Sequence, residues 1–118
     1  MSNTRGQRYE QLAFDFLTQQ GLQPITRNYQ SKMGEIDLIM KDQDVIVFVE
    51  VRFRTYDDFG GGLYSVEYHK QQKLIRTAEQ YLQQRGLYDQ VDCRFDVVAI
   101  SKQPPHQIEW LQNAFEVF

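Results

Sequence analysis

Acidic side chains interrupt two apolar, strand-like stretches of the sequence, residues 35–40 and 45–54. Asp37 lies in the first stretch and Glu50 in the second. Carboxylates are hard oxygen ligands that favour Mg²⁺, Mn²⁺ or Ca²⁺ over zinc. A divalent cation held by two of them can polarise a phosphodiester and activate a water molecule. If the two acids lie close together, this pair predicts a Mg²⁺ or Mn²⁺ site suited to phosphodiester hydrolysis.

The segment KDQD, residues 41–44, joins the two stretches and predicts a hairpin. Successive side chains of a strand point to opposite faces, so only a loop of even length brings Asp37 and Glu50 to the same face. A loop made of the last two residues of KDQD pairs them directly. A loop made of all four residues, or of the middle two, makes them diagonal neighbours and sets Glu35 opposite Glu50. Either relation leaves the two backbones within about 5–8 Å.

Basic residues accompany the acids. Arg52 and Arg54 follow Glu50 on the same strand face, and Lys70 and Lys73 fall in a helical stretch. Cations beside an acidic metal site could contact the phosphates of a nucleic acid. The alternative is a solvated strand end, at which Glu50 pairs with the arginines across the surface.

Hydrophobic periodicity places these residues on regular elements. The pattern predicts helices at residues 4–20 and 66–85, and strands at residues 22–30, 35–40, 45–54, 94–100 and 108–111. Glu10 lies at the edge of the apolar face of the first helix, where it could point toward a sheet. Asp96, near the end of its strand, is expected to be structural.

The stretch 45–54 indicates the architecture. Its alternate residues from Val45 to Phe53 are all apolar, and its other face is apolar at Ile46 and Phe48 before it turns charged. A strand that is apolar on both faces is normally central and covered on both sides. We therefore expect an α/β fold, with a mixed sheet of four or five strands flanked by helices, in a single domain spanning residues 1–118.

Composition limits the function classes. The chain has 118 residues, of which 42% are hydrophobic and 25% charged, and its one cysteine, Cys93, excludes an internal disulfide or a Cys-rich zinc site. The net charge of −3 argues against a protein that simply coats nucleic acid. No apolar run approaches the roughly 20 residues that span a bilayer, and the first residues lack an apolar signal core. We expect a cytoplasmic protein without a membrane partner.

The spacing of Asp37 and the triplet Glu50-Val51-Arg52 resembles the PD-(D/E)XK nuclease superfamily, in which an acid is followed on the next strand by acid-x-Lys. The sequence more closely resembles the bacterial YraN family, which is similar to archaeal Holliday-junction resolvases and shares their restriction-endonuclease-like fold. The stretches that carry this resemblance are GQRYEQLAFDFL, GEIDLIMKD, VFVEVRFR, FGGG, HKQQKLIRTAEQYL and RFDVVAI.

The resemblance implies that Asp37 and Glu50 bind the metal, and it makes Glu10 an additional acid of the catalytic site. The superfamily lysine falls on Arg52, which stays protonated and cannot act as a general base, although it can hold a phosphate. Lys70 or Lys73 could supply a displaced lysine.

The expected activity is therefore metal-dependent cleavage of structured or branched DNA. The alternative is a noncatalytic nucleic-acid-binding or DNA-processing accessory protein that keeps the nuclease fold. By analogy with resolvases, which face two scissile strands in a four-way junction, a homodimer is expected.

Overall fold

A five-stranded mixed sheet forms the centre of the computed structural model, which describes residues 5–54, 66–102 and 104–115. The elements in chain order are α1 (Arg5–Gln19), β1 (Gln23–Ser31), β2 (Gly34–Asp42), β3 (Val45–Arg54), α2 (Tyr68–Gln84), β4 (Asp92–Ser101) and β5 (Ile108–Leu111). The strands lie side by side in sequence order, with β3 in the middle. Neighbouring strands are antiparallel, except that β3 and β4 run parallel. The expected α/β architecture with a central β3 is confirmed.

Each helix covers one face of the sheet. On the α1 side, Val47 and Val49 of β3 are buried in a cluster that includes residues of α1. On the α2 side, Ile46 and Phe48 are buried in a second cluster with residues of α2. The sheet is thus the middle of three layers, as in a restriction-endonuclease-like fold. None of the helices in the described ranges is long and apolar enough to cross a membrane.

The β2–β3 hairpin has one of the even loops considered, the two residues Gln43 and Asp44, because Asp42 pairs with Val45. Gln43 has a φ of 58°, the positive φ that tight two-residue hairpin loops use. The ladder continues to Leu38 and Val49. If extended by one residue, this register sets Asp37 opposite Glu50.

The same register excludes one of the alternatives that the sequence left open. Glu35 cannot stand opposite Glu50, because extension of the observed pairing sets it opposite Arg52 instead. The reason is the position of the loop at residues 43–44, since either of the other even loops would shift the pairing by two residues.

The second helix begins at Tyr68 rather than at residue 66. Val66 is buried in the core on the α2 side, and Glu67 has the extended angles φ −54° and ψ 143°. The loop expected at residues 55–65, with Gly60–Gly62, lies outside the described residues.

Asp96 on β4 is only 1% exposed and joins the C-terminal part of the described chain to the sheet. Its carboxylate accepts hydrogen bonds from Trp110 Nε1 at 2.9 Å, from the Asn113 backbone N–H at 2.9 Å and from Arg94 Nε at 3.0 Å. Arg94 also donates to Asp42 at 3.1 Å. The predicted structural role of Asp96 is confirmed.

Candidate functional site

The backbone ladder between β2 and β3 stops where the acids begin. Its last pair is Leu38 with Val49. Two residues further along β3, the Val51 N–H donates to Oδ2 of Asp37 at 2.8 Å, which replaces a bond to a backbone carbonyl. The Asp37 carboxylate therefore occupies the point where the two strands separate. Its position is fixed by a backbone donor of the neighbouring strand.

Strand β2 also changes its orientation at Asp37. Residues 36, 38 and 40 of a regular strand would share one face. Instead, Ile36 is buried on the α2 side, whereas Leu38 and Met40 are buried on the α1 side. Asn28 lies across from Asp37 on β1, between the paired positions on either side, and has a φ of 53°. This irregularity lies at the position of the Asp37 carboxylate, which has neighbours on β3 and α1.

Glu10 is the neighbour from α1. Its side chain forms hydrogen bonds with the side chains of Asn28 and Asp37. Burial raises the pKa of Glu10, and these two hydrogen bonds offset part of that increase. The expectation that Glu10 points toward the sheet is confirmed, and its contact there is Asp37.

The environment of Asp37 strongly disfavours its charge. Burial is the main cause, followed by the negative charge of Glu50, and together they raise the pKa of Asp37 to about 7. The hydrogen bond from the Val51 N–H acts in the opposite direction. An adjacent cation stabilises ionised carboxylates, so a divalent cation held here would oppose the increase in the pKa of Asp37.

Glu50 forms an ion pair with a lysine of α2. Its Oε2 lies 2.5 Å from Nζ of Lys70, and the Glu50 side chain is only 11% exposed. Lys70 lies in the first turn of α2, the helix that connects β3 to β4 in the chain and packs mainly against β2. The lysine that could replace the superfamily lysine is therefore in contact with one of the two predicted metal ligands. Asp37, Glu50 and Lys70 form what we call the acid–lysine site.

The remaining predicted cations lie around this site. Arg52 is half-buried on β3, two residues beyond Glu50 and on the same strand face. Lys73 is exposed on α2, one helical turn after Lys70. Arg54 ends β3, and its side chain lies outside the described residues.

A Mg²⁺ or Mn²⁺ ion fits the donor chemistry of the site, although the site is not a complete cage. Among residues 5–54, 66–102 and 104–115, no three His, Cys, Asp or Glu side chains are grouped as metal ligands. Mg²⁺ usually takes one or two protein carboxylates and completes its shell with water and phosphate oxygens. Asp37 and Glu50 meet that requirement.

Comparison with known proteins identifies the family. Residues 9–100 match the family model described as Uncharacterised protein family UPF0102. The chain belongs to this family. The UPF0102 protein of Psychromonas ingrahamii is 48% identical over 115 residues, covering 98% of this chain and 92% of the relative. That of Nitrosomonas europaea is 47% identical over 115 residues, covering 98% and 96%. That of Methylobacillus flagellatus is 49% identical over 110 residues, covering 93% and 95%.

Membership of UPF0102 confirms the predicted YraN family. The matched range of this UPF0102 chain contains Glu10 and all three residues of the acid–lysine site. Sequence reasoning missed Asn28, which bonds to Glu10, and the Val51 N–H, which bonds to Asp37. Asparagine is among the residues that tolerate a positive φ, and that was the only signal Asn28 offered. A backbone donor such as the Val51 N–H leaves no trace in residue type.

Proposed function

We propose that this UPF0102 protein is a Mg²⁺- or Mn²⁺-dependent nuclease that cleaves structured or branched DNA in the bacterial cytoplasm. The observation that carries the proposal is the ion pair between Lys70 and Glu50, directly beside Asp37. It brings two carboxylates and an amine together at one strand end. This is the combination that the acid, acid-x-Lys pattern of the nuclease superfamily supplies.

In this proposal Asp37 and Glu50 hold the metal. When bound, the metal polarises the phosphodiester and lowers the pKa of a water molecule. The Val51 N–H keeps the Asp37 carboxylate oriented through its 2.8 Å bond. Glu10 acts through Asp37, because its negative charge beside Asp37 contributes to the raised pKa of that carboxyl group.

Lys70 provides the amine that Arg52 cannot. A lysine ammonium can release a proton or donate to a water molecule and a phosphate oxygen, whereas a guanidinium remains charged. Arg52, on the same strand face as Glu50, is assigned to the phosphate, where a fixed positive charge stabilises the charge that develops during cleavage. The two roles of the superfamily lysine are thus divided between a strand and a helix.

The alternative, a noncatalytic DNA-binding accessory protein, is favoured by Arg52 at the superfamily lysine position and by the net charge of −3. The position of Lys70 weakens the first argument, because an amine still reaches Glu50. The second argument, the negative net charge, is weakened because a metal bound by two carboxylates would locally offset that charge.

Cleavage assays with variants test the proposal. Purified protein is incubated with linear, flap and four-way-junction DNA, with and without Mn²⁺, beside Asp37→Ala, Glu50→Ala and Lys70→Ala. Loss of one group that stabilises the transition state typically costs about 100-fold or more in rate, so we expect each variant to lose at least that much. Arg76→Ala is the matched control, because Arg76 is an exposed cation of the same helix and should change the rate by less than twofold.

The second step of the assay uses Arg52→Lys. Arg52→Lys is combined with Lys70→Ala in one protein. If Lys70 performs the role of the superfamily lysine, this double variant regains the cleavage that Lys70→Ala loses, because it returns an amine to the strand position. Cleavage that persists in both Asp37→Ala and Glu50→Ala would overturn the site. DNA binding without cleavage by any form would establish the accessory function instead.

Dimer formation belongs to the same proposal. A four-way junction presents two strands for cleavage, so paired incisions require two acid–lysine sites. We expect sedimentation of the protein with junction DNA to give two protein chains per junction, and one chain per junction would contradict the homodimer.

A further inference from the structure

An open cleft of about 690 Å³ lies beside the acid–lysine site, between the β1–β2 hairpin and the first turns of α2. Gln30 and Glu35 line the hairpin wall, and Lys70 and Lys73 line the helix wall. Lys70 belongs to both features, because its amine also contacts Glu50. The cleft therefore opens directly next to the place at which a scissile phosphate would bind.

The floor of the cleft is closely packed. A Cβ atom at Gly34 would lie 3.1 Å from Oγ1 of Thr77, so hairpin and helix approach each other closely at this point. Thr77 Oγ1 donates to the Lys73 carbonyl at 2.8 Å. Leu74, which is buried, completes an apolar part of the floor. The close approach of Gly34 and Thr77 therefore brings the hairpin and the helix together at the floor of the cleft.

The two walls carry opposite chemistry. The helix wall has the ammonium groups of Lys70 and Lys73, which favour phosphate oxygens. The hairpin wall has the Glu35 carboxylate, with Nε2 of Gln30 3.5 Å from its Oε1. A carboxylate repels phosphate but accepts hydrogen bonds from the amino groups of bases, and an amide can both donate and accept. A nucleotide matches both walls in a single orientation.

We propose that the cleft binds one unpaired nucleotide next to the scissile phosphate, with its phosphate on Lys73 and its base against Gln30 and Glu35. This inference rests on the proposed nuclease function, since it assigns the cleft to the strand that is cut. A base within a duplex has its edges paired and its faces stacked, and it enters a protein pocket only when it is unpaired or flipped out. The volume lies in the range of pockets that enclose small ligands. The substrate class is therefore DNA with unpaired nucleotides at the cleavage point.

The phosphate contact is tested by binding of fluorescein-labelled oligonucleotides, measured by anisotropy in Ca²⁺. We expect wild-type protein to bind a ten-nucleotide single strand at least fivefold more tightly than the blunt duplex of the same sequence. Lys73→Ala should weaken single-strand binding about five- to tenfold and reduce the slope of log Kd against log salt by about 0.7, the value for one lost phosphate contact. Arg76→Ala, which lies outside the cleft on the same helix, should change the Kd by less than twofold.

The base contact is tested with Gln30→Ala. This variant should weaken single-strand binding about threefold without changing the salt slope, because an amide releases no counterions. Gln23→Ala, an exposed glutamine at the other end of β1, is the matched control.

The outcomes separate the two proposals. The proposed nucleotide binding in the cleft would be overturned if Lys73→Ala and Arg76→Ala lost equal affinity for single-stranded DNA. It would also be overturned if the wild type bound single strand and duplex with equal affinity. Neither result would contradict the nuclease proposal. Failure of the wild type to bind single-stranded, duplex or junction DNA would overturn the nuclease proposal and the cleft together.

Discussion

The folded protein disfavours the ionised form of Asp37, one of the three residues of the acid–lysine site. Burial and the charge of Glu50 raise its pKa to about 7, whereas an aspartate in an unfolded chain titrates near 4. The folded state therefore binds a proton that the unfolded state has released between these pH values. A stabilising contribution from protonated Asp37 is complete below about pH 4 and is lost as the pH rises through about 7.

This linkage predicts a specific pH dependence of stability. Between pH 5 and pH 8, in EDTA, the wild type should lose about 2 kcal/mol of unfolding free energy relative to Asp37→Asn, because the amide cannot ionise. The amide oxygen still accepts the Val51 N–H. Urea unfolding followed by circular dichroism at both pH values measures the difference.

Asp44→Asn is the matched control for this experiment, because Asp44 is exposed in the hairpin loop. It should follow the wild type across the pH range. Parallel pH profiles for Asp37→Asn and the wild type would show that Asp37 does not titrate between pH 5 and pH 8.

The network around Asp96 predicts a different behaviour at the level of elements. This carboxylate joins β4 to Trp110 of β5 and to Asn113 beyond it. Asp96→Ala leaves both N–H donors and part of the Arg94 charge without a partner inside the protein. Removal of one partner from a buried charged network typically costs about 3–5 kcal/mol, and we expect about 3 kcal/mol in urea unfolding.

Asp42→Ala provides the comparison within the same network. Asp42 also accepts from Arg94, but its side chain is 32% exposed, so water can replace it and the cost should stay below about 1 kcal/mol. The circular dichroism signal should be used for both variants, since Trp110 fluorescence would respond to the lost hydrogen bond itself. Similar losses in the two variants would contradict the structural role assigned to Asp96.

The elements also show what the sequence could predict. Alternating apolar residues were sufficient to place β3 at the centre, and the observed loop meets the even-length condition stated for Asp37 and Glu50. Local patterns could not choose between the even loops, so the position of Glu35 depended on the conformation of Gln43. They also could not predict the rotation of β2 at Asp37, which places Ile36 and Leu38 on opposite sides of the sheet.

Lys70 illustrates the same limit over a longer distance. Twenty residues separate it from Glu50 in sequence, and the helical pattern of α2 marks Lys70 only as polar. Its contact with Glu50 follows from the packing of α2 against the sheet, mainly against β2 and β1. Side chains that meet through tertiary packing carry no local signal, which is why the sequence left Lys70 and Lys73 as equal candidates for a displaced lysine.

At the scale of the whole molecule, the acid–lysine site and the adjacent Glu10 together draw on all three layers. Glu10 comes from α1, Asp37 and Glu50 come from neighbouring strands, and Lys70 comes from α2. The site lies where the two central antiparallel strands separate, so its groups are held by the fold rather than by a loop. A ligand that binds there contacts every layer, and it should stabilise the fold as a unit.

Metal binding should therefore raise the global stability, and the increase should depend on pH. A ligand at 100 times its Kd stabilises the folded state by about 2.7 kcal/mol, which corresponds to roughly 10 °C in Tm for a domain of this size. Binding to Asp37 requires its ionised form, so a proton with a pKa of about 7 must leave when the metal enters.

The Tm increase caused by Mn²⁺ should be small at pH 6 and larger at pH 8. Thermal unfolding with Mn²⁺ or EDTA measures it. Glu50→Gln should abolish the increase at both pH values, whereas Glu79→Gln, on the opposite end of α2 from Lys70, should retain it. An increase of equal size in Glu50→Gln would show that Mn²⁺ binds elsewhere.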